Sequence, residues 1–280
     1  MNISITNSRR FDNMPCGDII KNGKVTDMNN SNDYNKTVPP VYAPEEFCER
    51  AQALAEKLKT EFVSEKPQTL FLCVDKNGLS LAEGEAAVSV DFSKLIRRIK
   101  HSNPFGEMVV KAAKIKGNEN PNLIDATAGL GEDSFILAAA GFNVTLCEYN
   151  PVICALLEDG IEKAKSIPPL SEAAGRMTVY EGDSIEYMAS LTATPDVVLL
   201  DPMFPERQKS ALTKKKFQLI HRLEKPCDDE ETLLDAAIRL RPHKIVIKRP
   251  IKGAYLAGRK PDYSLDGKAI RYDCFVFAKE

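Results

Sequence analysis

Four short stretches of this chain place acidic or hydroxylated residues where an apolar run breaks off. The first is Asp125-Ala-Thr-Ala-Gly129-Leu-Gly131-Glu132-Asp133. Two glycines separated by one residue let a backbone turn tightly and come close to a ligand. The flanking acids, Asp125 before the loop and Asp133 after it, would repel a pyrophosphate and attract a cation, such as a sulfonium with its amino-acid tail. The second stretch ends at Glu148-Tyr149, with Glu148 seventeen residues past Gly131. A carboxylate there suits both hydroxyls of a ribose. The third ends at Asp183-Ser184, which can receive an adenine amino group. Each acid alone reads equally well as a helix cap. The series, at successive run ends and in this order, predicts an adenosine-type cationic cofactor. The fourth stretch, Asp201-Pro202-Met203-Phe204-Pro205, sets two hydrogen-bond acceptors, the Asp201 carboxylate and the Pro202 carbonyl, beside a flat aromatic face.

Residues at successive strand ends share one site only if the strands are parallel. From residue 122 onward, apolar runs of strand length alternate with helical patterns. Strands are predicted at 123–131, which runs into the Gly-rich turn, and at 143–150, 177–184, 196–205, 243–250 and 272–280. Helices are predicted at 132–141, 151–165 and 229–240, with Pro151 in the first turn of the second. This alternation predicts an α/β fold with an open, mostly parallel sheet and helices on both faces, binding ligands beyond the carboxyl ends of its strands. Ahead of it, Phe47, Ala51, Leu54 and Leu58 form one helical stripe within 44–60, and 69–75, 79–83 and 87–92 read as short strands. The chain thus divides into an Asn-rich, disordered or loosely attached arm at 1–38, a small α/β lobe at 39–100 and the main domain at 101–280.

Composition bounds the partners. The 280 residues carry 38 basic and 40 acidic side chains, which excludes a globally basic coat protein. The balance conceals two basic segments. Residues 94–116, with Arg97, Arg98 and Lys100, hold seven basic and one acidic residue; residues 207–260, with Lys209, Lys214, Lys215, Lys216, Lys248 and Arg249, hold fifteen and six. If the two meet in space they make an electrostatic footprint for RNA. His101 and His221 lie in these segments and suit phosphate binding better than catalysis. His243 reads as a surface residue before a strand. No apolar run reaches bilayer-spanning length and no signal sequence is visible, so a cytoplasmic protein without membrane association is expected. The seven cysteines form no C-x-x-C pair and there are three histidines, so neither a disulfide framework nor a metal site is expected. Cys147 and Cys154 read as core thiols, and Pro226-Cys227 sits in a polar connection unsuited to a nucleophile.

The Asp201–Phe204 stretch resembles the (D/N)-P-P-(F/Y) signature of class I S-adenosylmethionine-dependent methyltransferases acting on exocyclic amino groups of bases. Such an amine has its lone pair delocalised into the ring and is a poor nucleophile. Asp201 and Pro202 would accept its N–H groups and hold the lone pair toward the methyl group, while Phe204 stacks on the base. More specifically, Asp125–Asp133, Leu200–Pro205, Gln208-Lys-Ser-Ala-Leu212 and Val246-Ile-Lys-Arg-Pro250 are similar to the ribosomal small-subunit methyltransferase J family, the bacterial 16S rRNA (guanine(1516)-N(2))-methyltransferases. The resemblance runs from about residue 41 to the C-terminus. It implies a Rossmann-like class I methyltransferase sheet, S-adenosyl-L-methionine as cofactor, and 16S rRNA or the small ribosomal subunit as partner. It implies cofactor contacts at Glu132, Asp133, Glu148, Tyr149, Asp183, Ser184 and Asp201, with departures from the family pattern at Glu132, Tyr149 and Asp183. The alternatives are an adenine-N6 nucleic-acid methyltransferase and a non-catalytic ribosome assembly factor. A nicotinamide enzyme fits least, because its G-x-G-x-x-G fingerprint would need glycine where Ser134 stands.

Overall fold

The computed structural model describes residues 38–100, 104–202, 218–220, 222–223 and 229–278. The chain opens with β1 (Val41–Tyr42), α1 (Cys48–Leu58), β2 (Phe62–Val63), β3 (Phe71–Asp75), β4 (Gly78–Glu83) and β5 (Ala86–Val88), whose strands form a sheet in the order β2-β1-β3-β4-β5. Two short helices follow, α2 (Ile96–Lys100) and α3 (Met108–Ala113). Then come β6 (Asn122–Asp125), α4 (Glu132–Ala139), β7 (Asn143–Glu148), α5 (Pro151–Lys165), α6 (Pro168–Gly175), β8 (Met177–Glu181), α7 (Ser184–Ser190), β9 (Val197–Leu200), α8 (Glu230–Arg239), β10 (Lys244–Pro250), β11 (Tyr263–Asp266) and β12 (Ile270–Val276).

The second sheet has seven strands in the order β11-β12-β10-β9-β6-β7-β8. Strands β10, β9, β6, β7 and β8 pair in parallel, while β12 runs antiparallel to β10 and to β11. From β6 the chain builds outward through β7 and β8, then returns to add β9 and β10 on the other side. The carboxyl ends of β6 and β9 therefore flank the reversal of strand order, where open α/β sheets bind ligands.

The continuous apolar runs are explained by burial on both faces. Val197 and Leu199 of β9 share a core with Leu123, Phe135, Val144, Leu146 and Leu157; Val198 and Leu200 share another with Ile124, Ile245, Ile247, Leu233 and Leu234. Helices α4, α5 and α6 cover the first face, α7 and α8 the second. Helix α5 starts where the sequence predicts, because Pro151 occupies its first turn and the Asn150 Oδ1 accepts from the Val152 and Ile153 N–H groups at 2.9 and 3.3 Å.

The first sheet packs on α5 through β4, and its buried residues Val41, Leu72 and Leu81 belong to the same continuous core as Phe135 and Leu157. Phe92 stacks on Phe135 with centroids 4.3 Å apart. Asp159, buried on α5, accepts the Leu79 N–H at 2.9 Å and pairs with Arg50 and Lys163. At Gly160 an added Cβ would stand 2.3 Å from the Val90 Cγ1, so α5 approaches this lobe with no room for a side chain.

The predicted helix over 44–60 is shorter, a 3-10 turn at Glu45–Phe47 leading into α1, which Lys59 ends at φ 54°. The strand predicted at 87–92 stops at Val88, because the Asp91 side chain caps a 3-10 turn at Phe92–Leu95. No helix among the described residues is long and apolar enough to cross a membrane. Nearly all of the expected arm, residues 1–37, lies outside the described residues.

Candidate active site

The Gly-rich loop leaves β6 with Gly129 at φ +52° and Gly131 at φ +72°, both left-handed. Space enforces the second glycine as well. A Cβ at residue 131 would meet the Leu157 Cδ2 at 2.9 Å and the Leu146 Cδ2 at 3.1 Å. Asp125, at the end of β6, is buried. Its Oδ1 accepts from the Thr127 N–H at 3.1 Å and its Oδ2 from the Ser134 hydroxyl at 2.6 Å. Burial outweighs these two bonds and pushes its carboxyl up to about 6.

Glu148, at the end of β7, is also buried. Its Oε2 accepts the Gly129 N–H at 3.2 Å and its Oε1 the Asn150 N–H at 2.9 Å, so the carboxylate shapes the Gly-rich loop from the neighbouring strand. Tyr149, 43% exposed, donates its hydroxyl to the Leu223 carbonyl at 3.4 Å. Asp183 caps α7: its Oδ1 accepts from the Ile185 and Glu186 N–H groups at 2.7 and 3.4 Å, while its Oδ2 has no bond among the described residues. Ser184 opens the same helix, and Glu132 and Asp133 open α4.

Asp201 follows β9, and its backbone is fixed from the Gly-rich loop, since its N–H donates to the Thr127 Oγ1 at 2.6 Å. Its side chain meets Lys248 of β10. The Lys248 Nζ lies 2.9 Å from the Asp201 Oδ2 and 2.9 Å from the Asp133 Oδ2, and the Tyr272 hydroxyl of β12 donates to that same Asp133 oxygen at 3.3 Å. Burial pushes the Asp201 carboxyl up and Lys248 opposes it; the result is raised from the ordinary carboxylate value. For Lys248, burial disfavours the ammonium, but the charges and hydrogen bonds of Asp133 and Asp201 outweigh it and hold its pKa above the ordinary lysine value. Pro202 is buried beside Asp201.

The structure therefore brings Asp125, Gly129, Gly131, Asp133 and Asp201 together at the reversal of strand order, with Glu148 bonded to the same loop and Asp183 one strand further out. The residue types fit S-adenosylmethionine. Asp133 and Asp201 share one ammonium, Lys248, and Asp125 adds a third carboxyl close by, so the acids outnumber the cation and favour a sulfonium. Buried Glu148 and the unengaged Asp183 oxygen are acceptors suited to ribose and adenine donors.

The expected RNA contacts need correction. Lys248 does not extend to phosphate; it is spent on Asp133 and Asp201. Arg249, 4% exposed, gives its Nε to the Ala254 carbonyl and its Nη1 to Glu230, because alternation along β10 turns it into the protein. Arg98 pairs with Glu107 through two bonds at 3.0 and 2.7 Å, and Arg97 is exposed. Phe204, Lys209, Lys214, Lys215, Lys216, His101, His221 and Pro226-Cys227 lie outside the described residues, as does the side chain of Lys100. Cys147 and Cys154 are core thiols as expected, burial pushing the first up to about 12 and raising the second too. His243 is only partly exposed, and its Nδ1 is buried without a partner among the described residues. Sequence reasoning missed Thr127, Ser134 and Tyr272. Thr127 stands inside the Gly-rich motif and Ser134 directly follows it, whereas nothing local marks Tyr272.

Residues 53–277 match the family model described as "Putative SAM-dependent methyltransferase". The chain is 39% identical over 244 residues to the ribosomal RNA small subunit methyltransferase J of Thioalkalivibrio sulfidiphilus, covering 84% of this chain and 96% of that protein. It is 40% identical over 235 residues to the protein of the same name from Pseudomonas aeruginosa, covering 81% and 90%. Among solved structures, the SAM-dependent methyltransferase NGO1261 of Neisseria gonorrhoeae superposes with a TM-score of 0.69 at 32% identity, covering 85% of this chain and 95% of that one.

Proposed function

The chain belongs to the SAM-dependent methyltransferase family, together with the ribosomal RNA small subunit methyltransferase J proteins, and from that premise we propose that it methylates the exocyclic N2 of a guanosine in 16S rRNA. It is an enzyme, and S-adenosyl-L-methionine is its cofactor. The cofactor supplies the electrophilic methyl group; the chain's own residues bind and orient. Asp125 and Asp133 provide negative charge for the sulfonium and its amino-acid tail. Glu148 takes the ribose hydroxyls, Asp183 and Ser184 the adenine edge, and Glu132 and Tyr149 border the same cleft. Asp201 and the Pro202 carbonyl accept the N–H groups of the target amine, so that its lone pair faces the methyl group, while Phe204 stacks on the base. Catalysis is then orientation and electrostatics, with no covalent enzyme intermediate. The reading carries with it a cytoplasmic location, where ribosomal subunits are made.

One observation supports this assignment most. Asp201 stands at the carboxyl end of the strand next to the Gly-rich loop, its backbone fixed by Thr127 and its Oδ2 held by Lys248. The test is transfer from methyl-labelled S-adenosylmethionine to small-subunit rRNA from cells lacking the modification, followed by digestion to nucleosides. Label in N2-methylguanosine is expected. Label in N6-methyladenosine would overturn the choice of base, and cofactor binding without transfer to RNA or to the subunit would favour an assembly factor.

A further inference from the structure

We infer that Lys248 is a positioning residue for methyl transfer: its single ammonium, shared between Asp133 and Asp201, fixes the Asp201 carboxylate so that one oxygen is engaged and the other is presented to the target amine. The inference rests on the reading of Asp201 given above and adds a residue to that site. The Lys248 Nζ is 2.9 Å from the Asp201 Oδ2, and the Asp201 Oδ1 has no hydrogen bond among the described residues. The same Nζ is 2.9 Å from the Asp133 Oδ2, which also receives the Tyr272 hydroxyl. One cation thus ties β10 to the start of α4 and to the end of β9, the two segments that must hold cofactor and amine in register.

The charge matters as much as the reach. An amine donates two N–H groups and needs an ionised acceptor, since a protonated carboxyl would present a competing O–H. Asp201 faces Lys248 and Arg249 from β10, Asp133 from α4 and Asp125 from β6. Without Lys248, Asp201 would keep the repulsion of Asp133, with Arg249 alone left to oppose it. A solvated lysine would have neither effect; this one is only 26% exposed and bonded on both sides.

The test compares wild type with Lys248→Met, Lys248→Arg and Lys248→Gln in the full chain. With saturating rRNA and cofactor, Lys248→Met is expected to lower kcat about 100-fold, the scale of a mispositioned reacting group. KM for rRNA should stay within about threefold. The acid limb of kcat should move to higher pH, and Lys248→Arg should recover at least about tenfold and return the limb toward wild type. A second readout needs no turnover: the carboxyl carbon-13 resonance of Asp201, identified by its loss in Asp201→Asn, should titrate at higher pH in Lys248→Met. Should that variant not fold, Lys248→Gln, a neutral hydrogen-bonding replacement, takes its place. Unchanged kcat would overturn the inference. So would an unmoved Asp201 titration with the rate loss explained by weaker cofactor binding. If wild type methylates no guanosine, the functional reading fails by itself, and the carboxyl titration still decides whether Lys248 sets Asp201.

Discussion

At the residue scale, the carboxylates at the ends of β6 and β9, Asp125 and Asp201, are ionised against the cost of their burial. Asp125 is buried with its carboxyl pushed up to about 6 from 3.8. Between those values the folded protein keeps a proton that the unfolded chain has shed. The contribution is fully present below about pH 4 and lost as pH rises through 6, where the ionised, buried acid costs about 3 kcal/mol. Asn can accept the Thr127 N–H and donate to the Ser134 hydroxyl without the charge. Asp125→Asn is therefore expected to stabilise the cofactor-free protein by about 2–3 kcal/mol at pH 8 and by little at pH 4. Denaturant unfolding at the two pH values measures this, and calorimetry should show weaker S-adenosylmethionine binding in the same variant. Asp201 has a different task. Asp201→Ala removes an acceptor from the amine and should lower kcat by about 10²–10³, leaving cofactor affinity within a few-fold; paired turnover and calorimetry would detect the opposite split.

At the element scale, legibility followed how far each element depends on its own residues. Strands β6, β7, β9 and β10 are readable because both faces of the sheet are covered and their central residues are almost all apolar. Gly131 and Gly141 around α4, Asn150-Pro151 at the start of α5 and Asp229 before α8 mark helix ends. Strands β1 and β2 are two residues each and exist only through pairing with each other and with β3, so no local pattern announces them. Strand β11 alternates weakly along the edge. The start of α7 is visible as Asp183-Ser184, which serves as a helix cap as well as a candidate ligand contact, whereas α6, which opens on Pro168-Pro169, lies between predicted elements. The Gly-rich loop was legible for its turn, yet only the packed structure shows that Gly131 also makes room for Leu157 and Leu146. Gly131→Ala combines a left-handed φ with a Cβ 2.9 Å from Leu157. It should cost about 2 kcal/mol of stability and weaken cofactor binding, because the displaced loop carries Gly129 away from Glu148. Urea unfolding and a cofactor titration on one preparation would reveal whether the two losses travel together.

At the scale of the whole molecule, counting charge along the chain overstates the RNA footprint. Several of the counted cations are consumed inside the protein: Arg98 by Glu107, Lys248 by two aspartates, Arg249 by Glu230, Arg259 by Asp235, and Lys244, whose Nζ donates to the Ala112 and Lys114 carbonyls. The basic segments also run from one end of the sheet to the other. Arg98 feels Glu132 and Asp133 at the ligand end, whereas Lys114 and Lys116 follow a helix anchored to Lys244 at the start of β10, the opposite end. Likewise Arg239 and Arg241 precede β10, and exposed Lys252 follows it. Only cations beyond the carboxyl ends of the strands can meet a backbone whose target base reaches Asp201. Arg97→Glu with Lys252→Glu should therefore weaken rRNA binding and flatten its salt dependence by about one unit of slope per lost contact. Lys116→Glu with Arg241→Glu changes the net charge equally and should leave both nearly unchanged. Filter binding across a salt series separates the two. Equal weakening by both pairs would mean that RNA is drawn by overall charge and that the polarity of the sheet does not orient it.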